Sequence, residues 1–159
     1  MHPRAIQLIE ELALQPHPEG GFFRELYRSP LKVQAQDARS LRDALTTIYF
    51  LLPAPSFSRW HCVASDEIWH LYEGGPLELR IADPMFAQVD VHRLEPVSSS
   101  TRPVAIVPAG HWQAARPLGD YALVGATVAP GFEFSDFKFL SGSSALEARL
   151  HDRIDRSLL

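Results

Sequence analysis

Apolar residues recur at helical spacing only near the two ends of the chain. Between residues 4 and 14 they fall at Ile6, Ile9, Leu12 and Ala13, after Pro3 and before Pro16, so this spacing predicts a first helix that ends near Gln15. In the tail, apolar residues follow one another at i+4 among charged residues and predict a C-terminal helix that packs one narrow face on the body. Those residues are Leu146, Leu150, Ile154 and Leu158.

From residue 17 to about residue 140 the pattern changes to short runs rich in β-branched and aromatic residues. These runs predict eight or nine strands at spacings of about ten residues, with no helices between them. Such spacing is typical of a sandwich or barrel and disfavours a parallel βαβ fold. The prediction is a single domain over residues 1–159 with a barrel core at about 17–140. The runs are GGFFRELYR, TTIYFLL, FSRWHCV, EIWHLYE, LELRIA, QVDVHRL, RPVAIVP, ALVGATV and FEFSDFKFL.

Composition and charge narrow the functional classes. The chain has 159 residues, with 15 Lys and Arg against 19 Asp and Glu, and it contains no basic run. We therefore expect no nucleic-acid partner. No apolar run approaches the ~20 residues of a membrane span, and acidic residues interrupt the apolar N-terminus, so we expect neither a membrane partner nor a signal peptide. The single cysteine, Cys62, fits a reducing compartment, and the expected location is the cytoplasm.

Two separated motifs carry a family resemblance. His61, Glu67 and Gly74 in HCVASDEIWHLYEGG, with Pro108 and Gly110 in VPAGHWQ, resemble the two-part signature of the cupin superfamily. The segments HPEGGFFRELYRS, TTIYFLL and PAGHWQAA resemble the uncharacterised "cupin 5" subgroup. The resemblance implies an all-β jelly-roll barrel (a double-stranded β-helix, RmlC-like), flanked here by the two predicted helices, and a homodimer. It implies no established reaction, although dTDP-sugar epimerases are the enzymes most often likened to this subgroup.

Strand alternation predicts which motif residues face the barrel interior. His61 and Val63 share one face, and Glu67, Trp69 and Leu71 form the next inward set, which leaves His70 on the opposite face unless a bulge intervenes. We expect His61 and Glu67 to pair in an apolar cavity, where burial raises the pKa of the glutamate and its carboxylate supports an imidazolium. Such a pair can move a proton, as a metal-independent epimerase or isomerase requires.

The same residues bear on metal binding. Metal-binding cupins use two histidines and a glutamate of the first element and a histidine of the second, whereas Val63 and Gln113 occupy two of these places here. The prediction is therefore no metal cofactor. A register change would allow His61, Glu67, His70 and His111 to bind a divalent transition metal such as iron, nickel, zinc or manganese.

The remaining candidates concern ligand binding. We expect Glu19 and Arg24 at the barrel mouth, with Arg24 pairing with an anionic group of the ligand, and Gly20 and Gly21 at positive φ in the preceding turn. Further ligand contacts are expected from Trp69, His70, His111 and Gln113. Three functions stay open: an epimerase or isomerase acting on a small polar, sugar-like metabolite, a non-catalytic binding module for such a molecule, and a metal-dependent enzyme.

Overall fold

The computed structural model describes residues 1–140 and 156–159. Within these ranges one helix, α1 (Pro3–Glu11), precedes thirteen strands, and two 3-10 turns lie at Phe134–Asp136 and Arg156–Leu158. The strands are β1 (Gln15–Pro16), β2 (Phe22–Arg28), β3 (Lys32–Val33), β4 (Arg42–Asp43), β5 (Thr46–Pro53), β6 (Ser58–Val63), β7 (Asp66–Gly74), β8 (Leu77–Ala82), β9 (Val89–Leu94), β10 (Val104–Val107), β11 (Trp112–Pro117), β12 (Tyr121–Ala129) and β13 (Phe137–Phe139).

The strands form a jelly roll of two facing antiparallel sheets. The larger sheet has the order β1-β2-β5-β12-β7-β10 and the smaller one β13-β6-β11-β8-β9, while β3 and β4 form a separate pair. Strands distant in sequence, such as β5 and β12, are neighbours, as in a closed jelly roll. Phe50, Leu52, Trp69, Leu77 and Leu79 fill one end of the space between the sheets. Side chains do not fill the other end of this space, which forms a cavity.

Helix α1 covers part of the outer face of the larger sheet. Ala5 and Leu8 are buried against Leu51 of β5 and Leu123 of β12. The helix ends at Glu11, earlier than the apolar spacing predicts, because Ala13 adopts a left-handed conformation with φ 49°. The next residues then pair with the start of β2 as strand β1.

One prediction near the C-terminus requires correction, and another lies mainly outside the described residues. The run FEFSDFKFL is not one strand, since a 3-10 turn at Phe134–Asp136 precedes the short strand β13. The predicted C-terminal helix falls mainly on residues 141–155, outside the described residues, and the described tail forms only a 3-10 turn that buries Leu158 beside Trp60 and Leu140. In the described part of the chain no helix has the length and apolarity to span a membrane.

Candidate functional site

A cavity of about 110 Å³ lies between the two sheets. Its walls are apolar and include Phe23, Ile48, Phe50, Val63, Ala126 and Val128. Four polar side chains line its inner end: His17, Glu19, His61 and Glu67, and the last three of these residues are at most 7% exposed. An enclosed apolar space with a few convergent polar groups is the usual form of a small-molecule site.

Glu67 is held by a relay of hydrogen bonds from two core residues. The Trp69 indole N–H donates to Oε1 of Gln113 at 2.9 Å, and the Gln113 amide donates to Oε2 of Glu67. Because an indole can only donate, it sets the amide orientation and directs the NH₂ group towards Glu67. Burial raises the pKa of Glu67 to about 7 and nearby Glu19 adds to the rise, although His61 and the Gln113 bond oppose it. The other Glu67 oxygen accepts no hydrogen bond from the described residues and faces the cavity.

His61 makes its close polar contact with Glu19, whereas the sequence predicted a pair of His61 and Glu67. Glu67 still acts on His61 through its charge. His61 Nε2 lies 3.3 Å from Oε2 of Glu19, whose Oε1 accepts a bond from the Ser58 hydroxyl at 2.9 Å. His61 Nδ1 lies 2.7 Å from the Arg59 carbonyl, so Nδ1 carries the proton and Nε2 is free to accept. Burial lowers the pKa of His61 and raises that of Glu19 to about 8. Both shifts favour a protonated Glu19 beside a neutral imidazole at neutral pH, and they oppose the imidazolium that the sequence predicted.

A tight turn carries Glu19 inside the barrel. Gly20 and Gly21 have φ values of 117° and 69°, as the sequence predicted, and the Gly20 N–H donates to the His17 carbonyl at 3.1 Å. A Cβ atom on Gly20 would lie 2.1 Å from the Phe57 carbonyl oxygen. The turn therefore requires glycine, and it places Glu19 at the inner end of the cavity instead of at the mouth.

Arg28, and not Arg24, lies at the cavity mouth. Arg24 faces the opposite side of β2 and donates to a backbone carbonyl beyond α1 at 3.2 Å. Arg28 donates two bonds to Glu25, at 3.1 and 2.9 Å, and single bonds to Asp43 at 2.9 Å and Glu133 at 3.2 Å. Its guanidinium is thus already matched by three carboxylates.

Three aromatic residues that had no predicted role also line the cavity: Phe132, Phe134 and Phe137. Phe134 is 61% exposed, and the Phe137 ring stacks on His61 with centroids 5.1 Å apart. The segment is held by buried Asp136, which accepts two bonds of 2.8 Å from Arg42. The only sequence signal was the aromatic-rich run at 132–139.

The residues do not fit the metal site that some cupins use. His70 lies on the outer face of β7 beside Tyr72, and His111 belongs to the turn before β11, so neither lines the cavity. Val63 is apolar, and the Gln113 amide is bonded on both sides. Among the residues that the structure describes, no group of three or more His, Cys, Asp or Glu side chains is arranged to hold a metal ion.

Comparisons with known proteins agree with this fold. A hypothetical protein from Leishmania major is 30% identical, with a TM-score of 0.84 and coverage of 94% of each chain. Protein SO0799 from Shewanella oneidensis is 34% identical, with a TM-score of 0.76, over 89% of this chain and 87% of that one. The uncharacterized protein YML079W of Saccharomyces cerevisiae is 28% identical over 155 residues, which cover 89% of this chain and 77% of that protein. The family model described as "Cupin superfamily (DUF985)" matches residues 6–140, and the chain therefore belongs to this cupin family.

Proposed function

We propose that the cavity binds a small polar metabolite and that Glu67, together with the His61–Glu19 pair, transfers a proton on it, as an epimerase or isomerase does. The observation that carries the proposal is the position of Glu67. One carboxyl oxygen is fixed by Gln113, while the other faces an apolar cavity without a hydrogen-bond partner in the described part of the chain. An oriented carboxyl group with one free oxygen is what a general base needs.

The electrostatics of the cavity suit this role near neutral pH. With a pKa of about 7, Glu67 is present in both protonation states at pH 7, which favours proton uptake and release. The Glu19–His61 pair holds one further proton, because burial raises the pKa of Glu19 while the Nδ1 bond to Arg59 leaves His61 Nε2 as an acceptor. Glu67 thus serves as the base, and the pair serves as the source of a returning proton.

The test is deuterium uptake from solvent, because it detects proton abstraction whatever the product is. The protein is incubated in D₂O buffer at pH 7.5 with a panel of aldoses, ketoses, hydroxy acids and sugar nucleotides, and loss of the exchanging C–H signal is followed by NMR. We expect exchange on at least one compound with the wild type and at least a hundredfold slower exchange with Glu67→Gln. Glu10→Gln is the matched control, because Glu10 is exposed on α1 and does not line the cavity.

Two outcomes contradict the proposal. Exchange that is equally fast in Glu67→Gln would remove Glu67 from the reaction. Binding of a panel compound, seen as an increase in melting temperature, without any exchange would show instead a non-catalytic binding module.

A further inference from the structure

His17 lines the cavity but has no role in the proposed proton transfer. Its backbone is fixed by the Glu19 turn, since the His17 N–H donates to the Gly21 carbonyl at 3.0 Å. Its ring packs edge-on against Phe23 and Phe50, with centroid distances of 4.6 and 5.5 Å. Only 8% of the side chain is exposed. The ring therefore has one defined orientation in the cavity wall.

The hydrogen bonds of His17 determine which nitrogen carries its proton. The backbone N–H of Glu19 donates to His17 Nδ1 at 3.3 Å, so Nδ1 acts as an acceptor and the proton of the neutral ring lies on Nε2. The titratable groups near the ring are Glu19, whose Oε2 lies 4.0 Å from Nδ1, and His61. Burial and His61 lower the pKa of His17 to about 4, which keeps the ring neutral at pH 7.

The Nε2–H of His17 is a hydrogen-bond donor that faces the ligand cavity. Among the described residues it has no hydrogen-bond partner, and His17 lines the same cavity as Glu67. A donor at the wall of a cavity is available to a bound ligand or to water. The cavity thus presents a free carboxylate oxygen and a free N–H donor to one bound molecule.

We propose that His17 is a catalytic residue that donates its Nε2–H to the oxygen of a carbonyl substrate while Glu67 takes a proton from the adjacent carbon. This rests on the proposed function and names its substrate class, a small carbonyl compound with a hydrogen on the neighbouring carbon. The C–H bond breaks, its proton passes to Glu67, and the electron pair moves onto the carbonyl oxygen. His17 stabilises the resulting enolate by hydrogen bonding and keeps its own proton. Return of a proton to the same carbon from its opposite face completes an epimerisation with no oxidant or reductant.

The charged residues at the mouth of the cavity narrow the substrate class further. Arg28 is the only Lys or Arg that lines the cavity in the described part of the chain, and three carboxylates already bind it. A phosphate group would find no unmatched cation there and would meet Glu25 and Glu133. The substrate is therefore an unphosphorylated carbonyl compound.

The first experiment measures the tautomer directly in the wild type. In ¹⁵N-labelled protein, we expect the His17 ring to show the neutral Nε2–H form from pH 6 to pH 8. A His17 imidazolium at pH 6, or the Nδ1–H tautomer, would overturn the assignment. This readout does not depend on the stability of any variant. It tests the position of the proton, which the bond from the Glu19 backbone N–H fixes whether or not the ring acts on a substrate, and the second experiment tests that action.

The second experiment uses glycolohydroxamate, a small uncharged mimic of an enediol, as the probe. Its affinity is measured by calorimetry for the wild type, His17→Phe and His17→Gln, where glutamine restores an N–H donor near the Nε2 position. Loss of one hydrogen bond predicts about tenfold weaker binding to His17→Phe, with His17→Gln within about threefold of the wild type. Equal affinity for the wild type and His17→Phe, or no binding to the wild type, would overturn the inference.

These results separate the inference from the proposed function. Deuterium exchange that requires Glu67 but is unchanged in His17→Phe would exclude a catalytic role of His17. It would still support proton transfer by Glu67. Absence of exchange on every compound, despite the expected tautomer and probe binding, would instead remove the proton transfer.

Discussion

Because Glu67 is buried, we predict that the Glu67→Gln variant gains stability relative to the wild type as the pH rises. The fold raises the pKa of this carboxyl group from 4.5 to about 7, mainly by burial. A group with a raised pKa stabilises the folded state fully below its unfolded pKa, and this contribution is lost as the pH rises through the folded value. The shift corresponds to roughly 3 kcal/mol, which is lost between about pH 4.5 and pH 7.5. Glu67→Gln removes the titration while its side-chain oxygen can still accept the Gln113 bond.

The assay is urea unfolding of the wild type and Glu67→Gln at intervals from pH 5 to pH 8.5. We expect the free energy of unfolding of the variant, relative to the wild type, to increase by about 2 to 3 kcal/mol across this range, because part of the shift already lies below pH 5. The pKa of Glu19 is also raised, to about 8, so its ionisation lowers the free energy of unfolding of both proteins by a similar amount. This effect largely cancels in the difference between them. The exposed control Glu10→Gln should show no such trend. A difference between Glu67→Gln and the wild type that stays constant with pH would refute the reasoning.

Three further predictions follow from other contacts. Gln113→Leu leaves the buried indole N–H without an acceptor, so urea unfolding should show a loss of about 2 kcal/mol, and NMR should show the pKa of Glu67 above 7. Asp136→Asn breaks the buried ion pair with Arg42 and should lower the free energy of unfolding by about 3 kcal/mol; a loss under about 1 kcal/mol would contradict this. We propose a homodimer through the outer face near Ile106, which is 61% exposed on the edge strand β10. Light scattering should then give twice 17.8 kDa for the wild type and 17.8 kDa for Ile106→Glu, whereas a monomeric wild type would refute the pairing.

The sequence predicts the fold and the inward faces of the central strands because both follow from period-two alternation. His61 and Val63 line the cavity together, and Glu67 lies on the inner face of β7, while His70 faces outwards as its parity requires. The second cupin motif, PAGHWQ, identifies Gln113 as a candidate site residue. Its bonds to Trp69 and Glu67 were not predictable, because they cross between the two sheets.

The residues at the cavity entrance were harder to predict, since strand parity fails at bulges and turns. A bulge between Glu25 and Tyr27 changes the register of β2 against β5, so Glu25 and Arg28 both reach the cavity although their spacing breaks the alternation. His111 shares the parity of Gln113, but β11 begins only at Trp112, and alternation does not extend into the turn.

The partner of His61 could not be inferred from spacing either. Glu19 lies far away in sequence, and the direction of its side chain depends on the two left-handed glycines that follow it. The sequence indicated the turn, but not that it folds back between the sheets. The same holds for His17, whose tautomer depends on a backbone N–H of that turn.

The central claim is that the cavity holds acid–base groups that titrate near neutral pH, and carboxyl NMR tests it without any ligand. In protein labelled with ¹³C at the glutamate side chains, Glu19→Gln and Glu67→Gln each remove one resonance and so assign the pair. We expect the carboxyl group of Glu19 to titrate near pH 8 and that of Glu67 near pH 7. If both titrate below about pH 5, as ordinary glutamates do, the proton-transfer account is wrong.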